Sequence, residues 1–359
     1  MPQKNKLCLI GIFPPPLCGM SLINEYIRTS LAKEGTSYSL IDISPDSLDR
    51  KIFLKAKRLA RVCIATIKFL KLILQGRINK IYIGISGGWG QCYDTLFLLI
   101  ARLAGCHIFI HHHNYTYLDK PSYLARFLVL VAGKSAIHIV ACEKMERDLQ
   151  LCYSQVNKTM VISGIAALDF ISCECRQRMV PHALGFLSNI TREKGVFEFI
   201  QVAIRLHQIG INIQAFLAGP FENESIRNAV LSEISPYPFI QCVGPKYGND
   251  KSDFFNQIDV LLFPTKNESE GLVIHEAMSR GVPVISVARG CIEQVVTANS
   301  GKVVSPFSDY VEEATQAIQE WHFSTEEFTL ISKGARQRYV LLKANADRSA
   351  AALISKLAV

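Results

Sequence analysis

Residues 262–286 read LFPTKNESEGLVIHEAMSRGVPVIS, and the fold turns on how this stretch divides. An apolar run from Val260 to Phe263 stops at Pro264, which reads as a buried strand ending in a loop. Gly271 or Leu272 opens a helix to about Arg280, Gly281 ends it, and Val282 to Val287 is apolar again. Strand, loop, helix and strand in this order form the unit of a parallel α/β sheet, whose strands are buried on both faces. That placement sets the chemistry. Glu268 falls beyond a strand's carboxyl end, where open α/β sheets bind ligands, and Glu276 follows on the helix with seven residues between them. Gly271 lets backbone amides approach an anion or a sugar oxygen, while Glu276 is placed to accept both hydroxyls of a ribose.

Upstream, the same pattern repeats. Ala183 to Leu187 reads as a strand, SNITREKG follows at 188–195, and a helix spans Val196 to Gln208. Lys194 sits at the helix start, where a cation costs up to roughly 1 kcal/mol unless an anion offsets it. Asn212 to Ala218 with Gly219-Pro220, and Phe239 to Val243 with Gly244-Pro245, are further strand and turn pairs. Lys246 and Tyr247 come next, then a helix from Asp250 to Gln257. Beyond Val287, Arg289-Gly290-Cys291-Ile292-Glu293 forms a turn, and helices are expected over Pro306 to Trp321, Thr325 to Lys343 and Asp347 to Lys356.

The first half opens with a strand from Lys6 to Phe13, a loop ending in Cys18-Gly19, and a helix to Lys33. Strand, glycine-containing loop and helix open a Rossmann-like half, although the spacing is not GxGxxG. Further strands are expected over Tyr38 to Ile43, Lys80 to Ser86, Cys106 to His113, Ala136 to Ala141 and Lys158 to Ile162. The fourth of these six strands ends in His111-His112-His113, and strand alternation puts His111 and His113 on one face and His112 on the other. Adjacent histidines on opposite faces do not chelate one ion, and no acidic cluster accompanies them, so no metal is expected. Ser163 to His182 lacks a period and reads as a linker. The boundaries expected are 1–164 for the first domain and 165–339 for the second, with the terminal helix, about 340–359, packing back on the first.

A helix is also expected from Arg50 to about Gln75. Its apolar seam Ile52, Ala56, Leu59, Cys63, Ile67, Leu70 and Leu74 is expected to dock on the sheet, opposite a face rich in Lys and Arg. No acid occurs from Arg50 to Arg77, so helix 50–75 suits an anionic membrane surface, where each cation contributes on the order of 1 kcal/mol.

Composition agrees with two ordinary domains. The chain has 359 residues, 49% hydrophobic and 19% charged, with a net charge of +8 that favours anionic partners. The basic residues lack aromatic interleaving, which argues against nucleic acid. Eleven scattered cysteines, among them Cys173 and Cys175, and no leader-like segment after Met1 lead to the expectation of a cytoplasmic protein, peripheral on the inner membrane face. No uncharged apolar run approaches the roughly 18 residues that span a bilayer.

The stretch 262–286 resembles the Glu-x7-Glu signature of retaining glycosyltransferases of family 4. That resemblance implies the GT-B fold, two Rossmann-like domains facing each other across a cleft. Carried onto this chain, it gives Glu268 the hydroxyls of the donor sugar, Glu276 the nucleotide ribose, and the amides of Gly271, Leu272 and Val273 the sugar and diphosphate. Lys194 would grip the diphosphate, and an Arg usual five or six residues earlier is replaced by Ser188 and Asn189, with Arg192 a substitute. Gly219 and Pro220 would lie near the base, framed by Lys246 and Tyr247, while Gly19 lies over the diphosphate and His113, or His111 one register away, hydrogen-bonds the donor sugar. The implied activity is metal-independent transfer of a sugar, with retention, from a UDP- or GDP-linked donor to a glycan or lipid-linked acceptor in polysaccharide or glycolipid assembly, with no cofactor. Two alternatives stay open: a GT-B nucleotide-sugar 2-epimerase, and a catalytically dead glycan- or nucleotide-binding module.

Overall fold

The computed structural model describes residues 6–15, 18–44, 52–169 and 176–359, with the backbone alone over 52–57. Contacts divide the chain into two units, Met1–Leu168 with Asn345–Val359, and Asp169–Ala344.

Unit 1 alternates strand and helix: β1 (Leu7–Gly11), α1 (Gly19–Lys33), β2 (Tyr38–Asp42), α2 (Ile52–Leu74), β3 (Lys80–Ile85) and α3 (Gly90–Leu103). It continues with β4 (His107–His112), α4 (Thr116–Asp119), α5 (Tyr123–Ala132), β5 (Ile137–Val140), α6 (Glu143–Cys152) and β6 (Lys158–Val161). The strands pair in parallel in the order β2-β1-β3-β4-β5-β6. Parallel crossovers are right-handed, so the reversal of direction after β2 lays α1 on one face and α2, α3, α5 and α6 on the other. A buried polar chain runs through the sheet: Asn24 donates to the Ile12 carbonyl at 3.0 Å and accepts from the Tyr82 hydroxyl at 3.0 Å. Gly11 and Gly84 make room for it, since a Cβ on either would come within 2.7 or 2.8 Å of the Asn24 amide nitrogen.

Unit 2 repeats the plan with β7 (Ala183–Leu187), α7 (Val196–Gln208), β8 (Gln214–Ala218), α8 (Glu224–Ile234), β9 (Ile240–Gly244) and α9 (Gly248–Gln257). There follow β10 (Val260–Phe263), α10 (Leu272–Met278), β11 (Val284–Val287), α11 (Ile292–Val295), β12 (Gly301–Val304), α12 (Tyr310–Phe323) and α13 (Thr325–Ala358). The parallel order is β12-β11-β10-β7-β8-β9. Its core gathers Phe186, Phe199, Leu217, Leu262, Ile285 and Trp321 from strands and from α7 and α12. Arg178, buried from the linker side, donates to the carbonyls of Ile258, Phe255 and Arg280 at 3.2, 3.0 and 2.7 Å.

Several expectations are corrected. α8 and β12 were not anticipated, and the break expected near 343–347 is absent because α13 runs unbroken for 34 residues. No glycine or proline interrupts Lys343-Ala344-Asn345-Ala346-Asp347, so helix propagation continues. The seam of α2 is turned round. Val62, Ala65 and Phe69 are buried, whereas Leu59, Cys63, Ile67, Leu70 and Leu74 are exposed. Both stripes have helical spacing, so the period alone does not choose; edge-on packing of Phe69 against Phe97, 5.7 Å between ring centres, does. Arg61 accordingly turns inward and donates to the Ser44 carbonyl. Lys51, Cys173 and Cys175, and the side chains of Ile52, Lys55, Ala56 and Lys57, lie outside the described residues.

Candidate active site

Strand order in unit 2 reverses between β7 and β10, which pair in parallel. The loops leaving their carboxyl ends are therefore neighbours, the position at which open α/β sheets take ligands. Those loops carry Lys194 and Glu268. Gly195 caps α7 in the left-handed region, φ +79, and a Cβ there would lie 2.3 Å from the Pro264 carbonyl oxygen, so only glycine lets the two loops close up. The Lys266 amide adds a bond to the Glu193 carbonyl at 2.8 Å.

The consequence is a fixed ion pair. The Lys194 ammonium donates to Glu268 Oε2 at 2.9 Å and to the Asn267 carbonyl at 3.1 Å, and lies 5.7 Å from the centre of the Phe263 ring. Glu268 Oε1 accepts from the Ser269 amide at 3.0 Å. Both side chains keep a solvent face, 25% and 19% exposed, so a ligand can reach them. Behind the loop stands Gly290, φ +53, where a Cβ would meet the carbonyl oxygens of Glu268 and Ser269 at 2.3 and 2.4 Å. Its neighbour Cys291 donates its amide to the Ser269 carbonyl at 2.7 Å.

Gly271 caps α10 with φ +74, and Leu272, Val273 and Glu276 are half-buried around a buried Ile274, Ala277 and Met278. Glu276 is held by Lys251 of α9, whose ammonium lies 2.6 Å from Oε1 and 2.5 Å from Oε2. Lys251 was not anticipated, because the two residues are 25 apart in sequence and only the packing of α9 beside α10 joins them. A second unanticipated pair lies beneath the loop, where Glu270 approaches the buried His275 at 3.3 Å.

At the same sheet edge, Gly219 (φ +144) packs so tightly that a Cβ would fall 1.8 Å from the Ser188 carbonyl oxygen. Its amide donates to the Gly244 carbonyl at 3.1 Å, and the Pro220 carbonyl accepts from Ile190 at 2.8 Å. Ser188 and Lys246 are half-buried there, with Asn189, Pro220 and Tyr247 exposed. Arg192 does not join Lys194: its guanidinium lies over the Phe197 ring at 4.4 Å.

In unit 1, Gly19 is the first residue of α1, and the amide of the preceding Cys18 donates to Ser21 Oγ at 2.8 Å. His113 follows the last residue of β4 and is half-buried, its ring centre 4.1 Å from that of His111 as alternation requires. His111 Nδ1 is 2.7 Å from the Tyr82 hydroxyl, which engages that ring in the interior. On the other face His112 bridges the Tyr117 hydroxyl at 2.7 Å and His138 at 2.9 Å. Burial pushes all four imidazoles down, His113 to about 3 and His138 to about 4, with like neighbours lowering His111 and His112 further. Each is neutral at pH 7, able to donate at one nitrogen and accept at the other.

Two Rossmann-like units with a ligand-type strand reversal define the GT-B class, and solved structures agree on the fold. HepE of Anabaena, solved in complex with UDP, superposes with a TM-score of 0.70 over 98% of this chain and 100% of its own, at 15% identity. Sucrose-phosphate synthase of Thermosynechococcus elongatus gives 0.72 over 98% and 99%, at 16% identity. Residues 181–322, which contain Lys194, Glu268 and Glu276, match the family Glycosyl transferases group 1. The capsular polysaccharide biosynthesis glycosyltransferase CapM of Staphylococcus aureus is 31% identical over 123 residues, 34% of this chain and 32% of that protein. The chain matches about a third of the length of its curated relatives, 32% and 36%. It is a GT-B-fold chain related to the group 1 glycosyltransferases.

Proposed function

We propose that the protein is a nucleotide-sugar-dependent, retaining glycosyltransferase acting in polysaccharide or glycolipid assembly. The observation that carries this is the Lys194–Glu268 pair at the strand reversal of unit 2, inside the segment matched to group 1 glycosyltransferases. An anionic diphosphate and a polyhydroxylated sugar are the ligands such a pair suits. The Lys194 ammonium neutralises the departing diphosphate, where charge develops, and Glu268 accepts hydrogen bonds from sugar hydroxyls; preorganised charge of this kind is usually the largest catalytic term. Glu276 takes the ribose, with the amides of Gly271, Leu272 and Val273 toward sugar and diphosphate. Ser188, Asn189, Gly219 and Pro220 border the nucleotide, and Lys246 and Tyr247 frame its base. In the reaction the bond from the anomeric carbon to the diphosphate oxygen breaks, a bond to the acceptor oxygen forms on the same face, and the acceptor proton passes to the leaving phosphate.

Gly19 over the diphosphate and neutral His113 toward the sugar are assigned by the family resemblance, whereas Arg192, the resemblance's substitute in the phosphate loop, lies over the Phe197 ring and is given no diphosphate contact in this reading. The acceptor is a glycan or a lipid-linked glycan, met at the cytoplasmic face of a membrane that draws in the cationic α2. No helix among the described residues is long and apolar enough to cross that membrane.

The test is a panel of UDP- and GDP-sugars, read by release of the nucleoside diphosphate with and without glycan acceptors. Release that rises with acceptor and yields a product of unchanged anomeric configuration supports the reading. Release of a free 2-epimerised sugar without acceptor points to an epimerase, and neither release nor a thermal shift with UDP or GDP points to a dead module.

A further inference from the structure

We propose that the outer surface of α2, α3 and α5 seats unit 1 in the headgroup layer of an anionic bilayer, with its apolar side chains inserted. This rests on the membrane contact of the reading above and changes its nature, from attraction along one cationic helix to insertion of a three-helix face.

The right-handed crossovers place these helices side by side on one face of the sheet. From α2, Ile64 and Ile67 are each 67% exposed and Leu74 85%. The next helix adds Leu96, Leu99 and Leu103 at helical spacing, and α5 adds Tyr123, Phe127 and Leu130. Such side chains scattered singly would mean nothing, but three adjacent helices each turn an apolar stripe outward, and contiguous patches of this kind mark interaction sites.

Charge selects the occupant. Lys71 of α2 and Arg126 of α5 stand exposed, and so do Lys68 and Arg102, although Lys68 also donates to the Leu40 carbonyl at 3.0 Å and Arg102 to the carbonyls of Leu130 and Val131 at 2.7 and 2.9 Å. Between residues 52 and 142 the acids are Asp94 and Asp119, and Asp94 is fully buried. A second copy meeting this face by two-fold symmetry would set cations against cations with no acid from these helices to pair them, whereas anionic headgroups offset that positive charge. Long cationic side chains rise to the headgroups while their neighbours stay in the acyl boundary, and an aromatic hydroxyl such as that of Tyr123, 91% exposed, suits the same depth.

The test is flotation of the full chain with vesicles of phosphatidylcholine, alone or mixed with phosphatidylglycerol, at low and high ionic strength. Compared with wild type are Ile67→Ser/Leu99→Ser/Phe127→Ser and Lys68→Gln/Lys71→Gln, all on exposed positions, with folding checked by melting. Wild type is expected to float with mixed vesicles and to keep a large share at high salt, since apolar insertion is not screened. The serine variant should lose about tenfold or more at both ionic strengths, and the glutamine variant only the salt-sensitive share. Flotation of the serine variant like wild type overturns the proposal, as does failure of wild type to float. A wild-type dimer that the serine variant converts to monomer overturns it as well, in favour of a second copy. Cleavage of a soluble nucleotide sugar, followed in parallel, separates the two readings: its absence in a protein that floats counts against the donor site and leaves the membrane face standing.

Discussion

The Lys194 ammonium and the Glu268 carboxylate meet at 2.9 Å across the two loops that flank the strand reversal of unit 2, though 74 residues separate them in sequence. The pair is partly exposed, and such pairs contribute only about 0–1 kcal/mol to stability. On the proposed reading its value lies in placing two opposite charges before a donor arrives. Glu268→Gln keeps the shape and removes one charge, so turnover should fall about 100-fold while the melting temperature hardly moves. Donor cleavage and thermal unfolding of the same preparation check this, and a variant that melts early but turns over normally would make the pair structural.

Glu276 is expected to act on affinity. Hydrogen bonds to a charged group are worth about 1.5–3 kcal/mol, so Glu276→Ala should weaken nucleoside diphosphate binding by about tenfold or more. Lys251→Met removes the carboxylate's present partner and should change affinity by less than about fivefold, the scale of a half-exposed pair. Titration calorimetry distinguishes them. Equal affinity in wild type and Glu276→Ala would remove the ribose role.

Two glycines separate strain from contact. Gly210 has φ +85 with open space around its Cβ position, whereas Gly290 has φ +53 and two carbonyl oxygens of the Glu268 loop within 2.4 Å of it. Gly210→Ala should cost about 1–2 kcal/mol, the penalty of a left-handed alanine. Gly290→Ala should cost more and also depress donor cleavage, because Glu268 must shift. Buried Trp321 reports unit 2 melting by fluorescence, and equal losses in the two variants would mean that the loop contact is absent in solution.

Acid should unfold unit 1 first. His111, His112, His113 and His138 have folded values below the ordinary value near 6.5, so the unfolded chain takes up their protons first and stability falls as pH drops through about 6 toward 4. Asp94 acts in the opposite sense. Burial pushes its carboxyl up to about 7, so its own contribution improves as pH falls through that value. Four imidazoles against one carboxyl decide the sign, and the net effect is loss. Among the described residues of unit 2 the groups moved from their ordinary values are Cys242, Tyr310 and Arg338, none of which titrates between pH 4 and 7. Calorimetric unfolding at pH 7, 6 and 5 should show the unit 1 transition moving down further than the one reported by Trp321.

Apolar strand runs and the glycines and prolines that end them made the two parallel sheets readable in the sequence, and the pairing of His111 with His113 on one side of β4 followed from alternation alone. What escaped depended on contacts far apart in the chain. The stripe of α2 that faces the sheet was decided by Phe69 meeting Phe97, which no period encodes. Strand β12, Gly-Lys-Val-Val, lacks the fully apolar run that marks β10, and Lys251 reaches Glu276 only after α9 and α10 pack side by side. The Glu268 and Lys194 positions could be named from sequence, yet the pair they form needed the juxtaposition of β7 and β10.

The most direct measurement is the single-turnover rate of nucleoside diphosphate release from a cleaved nucleotide sugar, compared between Lys194→Ala and Arg192→Ala. Lys194 faces the Glu268 loop and Arg192 lies over Phe197, so the account predicts a loss of about 100-fold or more for Lys194→Ala and near-wild-type rates for Arg192→Ala. Near-normal release by Lys194→Ala together with inactive Arg192→Ala would contradict it.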